Sequence, residues 1–169
     1  MATKRVSATR GVRNNNPGNI RSNSYFKWQG QTGSDDKGFC VFDTMGCGLR
    51  ALFRLLANYR LLHNVSTVNQ LINRFAPPSE NHTGAYIDFV LQYLSQGGHI
   101  LKSTDYMDFR DSELMMRLAS AIMMYESKYE PGDYELLVAY QDGMARLIPP
   151  KSMKYDTDNI FTKQARRYS

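Results

Sequence analysis

The chain has 169 residues, 42% of them hydrophobic, so it is long enough and apolar enough to fold around its own core. No apolar run reaches the roughly 20 residues that cross a bilayer, and the start of the chain lacks the apolar region of a secretory signal. The formal net charge is +5. Part of this charge lies at two ends, 1–12 and 149–169, which we expect to be basic arms flanking one domain at 13–148.

Elements are predicted in chain order from turn residues and apolar periodicity. The polar string from Arg13 to Arg21 predicts a loop, and two aromatic and β-branched stretches, Tyr25–Gln31 and Gly38–Asp43, predict a β-hairpin with its turn at 33–36. Five helices follow, with apolar residues three and four apart. We place the first at about 46–63 after a cap at Thr44, and the second from a cap at Ser66 or Thr67 to the prolines at 77 and 78. The third runs from after 83 to the glycines at 97 and 98, the fourth from a cap at Asp111 or Ser112 to about 126, and the fifth at about 133–143.

The predicted fold class is therefore α+β and mainly helical, with one small β-hairpin. The two cysteines, Cys40 and Cys47, are expected to be reduced thiols, although a local bridge is geometrically possible. The three histidines are scattered without metal-ligand spacing, so we expect no metal site and no cofactor.

Glu126 is the first candidate for chemistry. It lies in the last turn of the fourth predicted helix, where the helix dipole disfavours an ionised carboxylate. Apolar neighbours disfavour the charge as well, and both effects raise the pKa of the Glu126 carboxyl. A carboxyl group with a raised pKa suits a general acid that protonates a glycosidic oxygen. The alternative is a surface residue that pairs with Lys128.

Two further carboxylates are candidates. Glu80 lies within about one turn of a predicted helix start, which favours the ionised form that acts as base, nucleophile or cation stabiliser. The alternative is a loop-ordering carboxylate paired with Arg74. Asp35 lies in the predicted hairpin turn, where Asp is also a common turn residue.

Aromatic and amide side chains near the hairpin suit a sugar-binding groove. Aromatic faces stack on sugar rings, and amides bind hydroxyl and N-acetyl groups. The alternative for Trp28 is a core residue beneath the hairpin. The candidate substrate-binding residues are Asn14, Asn15, Asn16, Asn19, Tyr25, Trp28 and Tyr86.

The string RNNNPGNIR at 13–21, together with APPSENHTGAY at 76–86, resembles a family of small phage and prophage proteins labelled as virion structural proteins. The resemblance covers about 11–129. It implies a protein that is made in the host cytoplasm and carried in the virion, with peptidoglycan and other virion proteins as partners. The resemblance also implies a glutamate at the end of a later helix, where this chain has Glu126.

The order of motifs from Asn14 to Tyr59 is similar to that of glucosaminidases of the flagellar and autolysin type. In those enzymes the catalytic glutamate precedes the Asn-rich loop, whereas 1–11 of this chain contains no acidic residue. A circularly permuted arrangement would supply Glu126 instead. The resemblance therefore implies a lysozyme-like domain that cleaves peptidoglycan glycan strands as a muramidase, lytic transglycosylase or glucosaminidase.

Two other functions remain open at this point. One is a virion structural or adaptor protein that keeps the lysozyme-like fold without cleaving. The other is a DNA-associated protein that uses the basic ends, which ranks last because the sequence contains no nucleic-acid-binding motif that we recognise.

Overall fold

The structure is a computed structural model that describes residues 7–147. These residues form a mainly helical α+β architecture with one two-stranded antiparallel sheet. No helix in this part of the chain is long and apolar enough to cross a membrane. The elements are α1 (Arg10–Arg13), β1 (Gln31–Ser34), β2 (Cys40–Phe42), α2 (Met45–His63), α3 (Val68–Phe75), α4 (Thr83–Gln96), α5 (Ser112–Ser127) and α6 (Asp133–Gly143).

Three of the helices that follow the hairpin, α2, α3 and α5, begin at polar residues whose side chains cap them. The side chains of Thr44, Thr67 and Asp111 each accept a hydrogen bond from the backbone N–H three residues on. These bonds satisfy N–H groups that have no partner inside the helix. The caps fall at residues where the sequence predicted them, and Thr67 and Asp111 resolve the two choices that it left open.

The core forms around α2, which packs against α6, while α4 packs against α3 and α5. The predicted apolar face of α2 is confirmed, because Leu49, Leu52, Phe53 and Leu56 are fully buried. For α6, the sequence pattern predicted that Leu136, Leu137 and Tyr140 point inward, and this was wrong for Leu137, which remains 39% exposed while Tyr140 is buried. Leu136 and Leu137 are adjacent on α6 and point about 100° apart, so they cannot share one inward direction.

The first strand lies later in the chain than predicted. The sequence placed it at Tyr25–Gln31, but β1 covers Gln31–Ser34 and pairs with β2 in an antiparallel register that shifts between Gln31 and Gly33. The Asn23 side chain accepts hydrogen bonds from the N–H groups of Tyr25 and Phe26, which holds this stretch in a local turn. Gly30, at φ 77°, then turns the chain into the strand.

The hairpin turn is likewise displaced to 35–38. The Asp35 carboxylate accepts hydrogen bonds from the N–H groups of Lys37 and Phe39, and Gly38 adopts φ 85°. Asp35 and Gly38 are the first and last residues of this turn. An Asp side chain that accepts backbone hydrogen bonds, with a positive-φ Gly three residues later, reverses the chain and sets the register of β1 on β2.

A short helix, α1, begins inside the segment that we expected to be the N-terminal arm. It packs against α5, and a Cβ on the buried Gly11 would overlap the Ser127 side chain. Only glycine allows this approach. The rest of the expected arm, 1–6, and the expected C-terminal arm, 149–169, lie outside the described residues.

Candidate active site

The C-terminal end of α5 is fixed against the Asn-rich loop. Ser127 Oγ donates to the Pro17 carbonyl at 2.8 Å, and Thr9 Oγ1 donates to the Ser127 carbonyl at 2.8 Å. Lys128 ends the helix in the left-handed conformation and forms no ion pair with Glu126 among the described residues. The position of Glu126 is thus set by the fold and not by the surface pairing that was the alternative.

Both carboxyl oxygens of Glu126 have a hydrogen-bond donor. Tyr86 Oη donates to Oε1 at 3.1 Å, and Asn19 Nδ2 donates to Oε2 at 3.2 Å and to the Glu126 carbonyl at 3.1 Å. Burial raises the pKa of Glu126, whereas the hydrogen bonds from Asn19 and Tyr86 oppose that rise. The net direction is upward, so the protonated form is favoured compared with a glutamate in water.

Tyr86, which donates to the Glu126 carboxyl group, is itself buried among aromatic rings. Its side chain is 1% exposed and stacks on the Tyr125 ring with centroids 3.7 Å apart, and Phe75 lies edge-on to it at 6.5 Å. Burial, followed by the neighbouring Glu126 charge, raises the pKa of Tyr86 far above its usual range. Tyr86 therefore keeps its proton and acts as a fixed donor to Glu126.

Glu126 lies in the wall of a groove of about 530 Å³. The groove runs between the Asn-rich loop and hairpin on one side and the ends of α2 and α3 on the other. It therefore contains residues that are far apart in sequence. Its lining combines amides, aromatic rings, two arginines and two glutamates, of which only Arg21 and Glu80 form an ion pair. This composition suits an uncharged polar polymer with occasional charged substituents. The lining residues are Asn19, Ile20, Arg21, Asn23, Phe26, Trp28, Phe39, Leu55, Asn58, Tyr59, Leu62, His63, Arg74, Phe75, Ala76, Pro77, Glu80, Asn81 and Glu126.

The four asparagines predicted to bind substrate divide into two groups. Asn16 is fully buried and bonds to the backbone of Ile20 and Cys40, and Asn15 donates to the backbone of Phe42. Asn14 donates to Asp35 Oδ2. These three amides hold the loop on the hairpin and do not line the groove, whereas Asn19 lines it beside Glu126.

The aromatic candidates also separate. Trp28 lines the groove but is only 8% exposed, and its ring meets Phe26 edge-on with centroids 4.9 Å apart. It is therefore a core residue that also forms part of the groove wall. Tyr25 is 93% exposed and does not line the groove, and Tyr86 lies behind Glu126 and not on the groove surface.

The two secondary carboxylates lie in different places. Glu80 lines the groove and forms an ion pair with Arg21 at 3.8 Å. The sequence had offered a pairing with Arg74 as the alternative role for Glu80, and that pairing does not form. Asp35 lies outside the groove, where backbone hydrogen bonds from the hairpin, led by that of Phe39, hold the pKa of its carboxyl below the usual range. The structure therefore brings Glu126 and Glu80 to one groove and leaves Asp35 in the turn.

Several groove residues were not among the sequence candidates. Arg21, Tyr59, His63 and Arg74 come from the loop, α2 and α3, and nothing in their local patterns distinguishes them from surface residues. The sequence signal nearest to this side of the groove was the turn-forming stretch after α3, which contains the groove residues Glu80 and Asn81. No group of three metal-ligating side chains occurs in the described part of the chain.

The fold and groove together define a mainly helical α+β protein with a protonatable glutamate beside amides and aromatic rings. The chain is 41% identical over 86 residues to Protein P5 of Pseudoalteromonas phage PM2, a match that covers 49% of this chain and 54% of P5. The chain thus spans about half the length of that relative. It is similar to part of a phage protein, and no protein-family model matches it.

Proposed function

We propose that this chain is a phage virion protein with a lysozyme-like domain that cleaves the glycan strands of peptidoglycan. The observation that carries the proposal is the Glu126 carboxyl group, which is part-buried, has a raised pKa and faces a groove of amides and aromatic rings. A raised pKa keeps a carboxyl group protonated at a pH where exposed carboxylates are ionised, which is what general-acid catalysis requires.

In this mechanism Glu126 donates its proton to the glycosidic oxygen. The bond between that oxygen and the anomeric carbon breaks, and the leaving sugar takes the proton as its hydroxyl group. The Glu126 carboxylate that remains accepts hydrogen bonds from Tyr86 and Asn19, which stabilise its charge. The same two bonds hold the carboxyl group in one orientation as the bond breaks.

The positive charge that develops on the sugar requires a second group. Glu80 belongs to the same groove, and as a carboxylate it would stabilise the charged sugar or activate a water molecule. Its ion pair with Arg21 fixes its position only weakly, since both side chains are more than half exposed. The N-acetyl group of the substrate is the other source of this stabilisation.

The similarity to part of a phage protein supports the virion setting. Attachment within the virion would use the basic ends of the chain, whose positive charge would favour acidic surfaces on other virion proteins or on the wall. The competing function is a virion structural or adaptor protein that binds wall glycan without cleaving it.

The test is release of soluble fragments from purified peptidoglycan between about pH 4 and 8. We expect activity in the wild type and none in Glu126→Gln, because glutamine keeps the shape but has no proton to donate. Glu80→Gln should reduce activity less, since the substrate can replace it. Glu130→Gln, an exposed carboxyl outside the groove, is the matched control and should remain active.

Each of the other outcomes would point to a different function or a different catalytic residue. If the wild-type protein pellets with the wall but releases no fragments, the protein is the adaptor that binds without cleaving. Wild type and Glu126→Gln that cleave equally would remove Glu126 from the acid role and leave Glu80 as the acid. A thermal melt of each variant separates lost chemistry from lost folding.

A further inference from the structure

The charges in the groove are not evenly balanced. Arg21 forms an ion pair with Glu80, so the positive charge of that guanidinium is offset. Arg74 lines the same groove and forms no ion pair with any carboxylate of the described residues. Glu126, the remaining acidic group in the groove, accepts hydrogen bonds from Tyr86 and Asn19 and forms no ion pair with Arg74. The α3 side of the groove therefore carries an unneutralised positive charge.

Arg74 is held in place by neighbours that leave this charge available. Its Nη2 donates to His63 Nε2 at 2.9 Å, and its guanidinium lies over the Tyr59 ring at 5.4 Å from the centroid. Both partners orient the guanidinium without cancelling its charge. A guanidinium has five N–H donors in a planar fork, so donors remain for a second planar partner.

We propose that Arg74, positioned by His63 and Tyr59, forms a subsite that binds a carboxylate carried by the glycan substrate. This inference rests on the proposed function, and it adds to it the class of sugar strand that the groove selects. A carboxylate is the planar anion that a guanidinium binds through two parallel hydrogen bonds. A strand built only of N-acetylglucosamine has no such group, whereas a muramic acid strand carries a lactyl group and peptide stems.

Two carboxylates on peptidoglycan could occupy the subsite. One is the lactyl carboxylate, which is free once the peptide has been removed, and the other belongs to the peptide stem. Both have the same chemistry, and they are separated by using peptide-free strands and strands that retain their stems. A neutral N-acetylglucosamine hexamer provides the same sugar backbone without any carboxylate.

The experiment measures binding with Glu126→Gln as the background, so that cleavage does not consume the ligand. We expect the peptide-free strand or the stem-bearing strand to bind more tightly than the neutral hexamer at low salt. Adding Arg74→Gln should weaken binding of that anionic strand by about threefold or more and leave the hexamer unchanged, as for an exposed ion pair. High salt should reduce the same preference.

Two further variants keep the result interpretable. Arg110→Gln removes one positive charge outside the groove and should change neither affinity. Arg74→Glu reverses the charge and should weaken binding of the anionic strand more than Arg74→Gln does. Arg74 is exposed, so thermal melts of both variants should match the background.

The outcomes for the subsite and for the proposed function are distinct. Equal binding of all three ligands, or an equal effect of Arg74→Gln on all of them, would overturn the carboxylate subsite while leaving glycan cleavage intact. Selective binding without any cleavage by the wild-type chain would support the subsite and overturn the enzyme. Binding of none of the three would overturn the subsite, and the release of fragments by the wild-type chain would still decide the enzyme separately.

Discussion

Asn19 and Glu126 are 107 residues apart in sequence and are joined by two hydrogen bonds from one amide nitrogen, at 3.1 and 3.2 Å. Asn19 adopts φ 47°, a left-handed conformation that asparagine tolerates better than most residues. The loop can therefore turn its amide onto the end of α5. Through this contact, the Asn-rich loop becomes part of the environment that sets the pKa of Glu126.

The first prediction concerns the pH dependence of activity. Tyr86→Phe removes the donor to Glu126 Oε1 and leaves the ring packing in place. Because that hydrogen bond lowers the pKa of Glu126, its loss should raise the pKa further. The protonated acid then persists to higher pH, so the alkaline limb of the pH–activity profile should move upward.

Tyr129→Phe is the matched control, since Tyr129 donates to Glu135 and does not line the groove. It should leave the pH profile in place. A Tyr86→Phe profile that moved downward, or that did not move while activity persisted, would show that Tyr86 does not act on the catalytic group.

The second prediction concerns two glycines of α2. A Cβ at Gly48 would overlap the Asn15 carbonyl, whereas one at Gly46 meets only Thr44 Oγ1 at 3.9 Å. We expect Gly48→Ala to lower the free energy of unfolding by about 2 kcal/mol or more, because the Asn-rich loop must move. Gly46→Ala should raise it by up to about 1 kcal/mol, since alanine favours the helix.

Urea unfolding of the two variants measures the difference directly. Helix propensity alone would make both substitutions stabilising. Two stabilised variants would therefore mean that the loop does not lie against α2 at Gly48.

The third prediction separates folding from catalysis at Asp35. Asp35→Ala removes the acceptor for the N–H groups of Lys37 and Phe39 and should lower the melting temperature. Since the carboxyl lies outside the groove, glycan cleavage measured well below the melting temperature should persist. Asp36→Ala, at the exposed neighbouring residue, is the control and should melt like the wild type.

The stability difference at Asp35 should also depend on pH. The pKa of this carboxyl is lower in the folded chain than in the unfolded one, so its stabilisation is fully present above the ordinary Asp pKa of about 3.9. It is lost as the pH falls through the lower, folded pKa. The melting temperatures of wild type and Asp35→Ala should therefore converge in strong acid, and loss of cleavage by a folded Asp35→Ala would restore a catalytic role.

The sequence determined the helices of this chain more securely than its strands. The apolar spacing of α2 and the caps at Thr44 and Asp111 are local signals, because a helix closes its hydrogen bonds within its own segment. The first strand was placed too early because Asn23 and Gly30 make a turn within an aromatic stretch. A strand requires a partner elsewhere in the chain, so its limits depend on pairing as well as on composition.

The candidate site was divided in the same way. The sequence selected Glu126 and Glu80 from their positions at helix ends, which is a local feature, and the family resemblance placed Glu126 first. Only the tertiary structure decided that both line one groove, that Asn19 and Tyr86 donate to Glu126, and that Arg21 instead of Arg74 pairs with Glu80. The physical reason is that a pKa and a groove depend on burial and on groups distant in sequence, which only the packing of the loop, α2, α3 and α5 brings together.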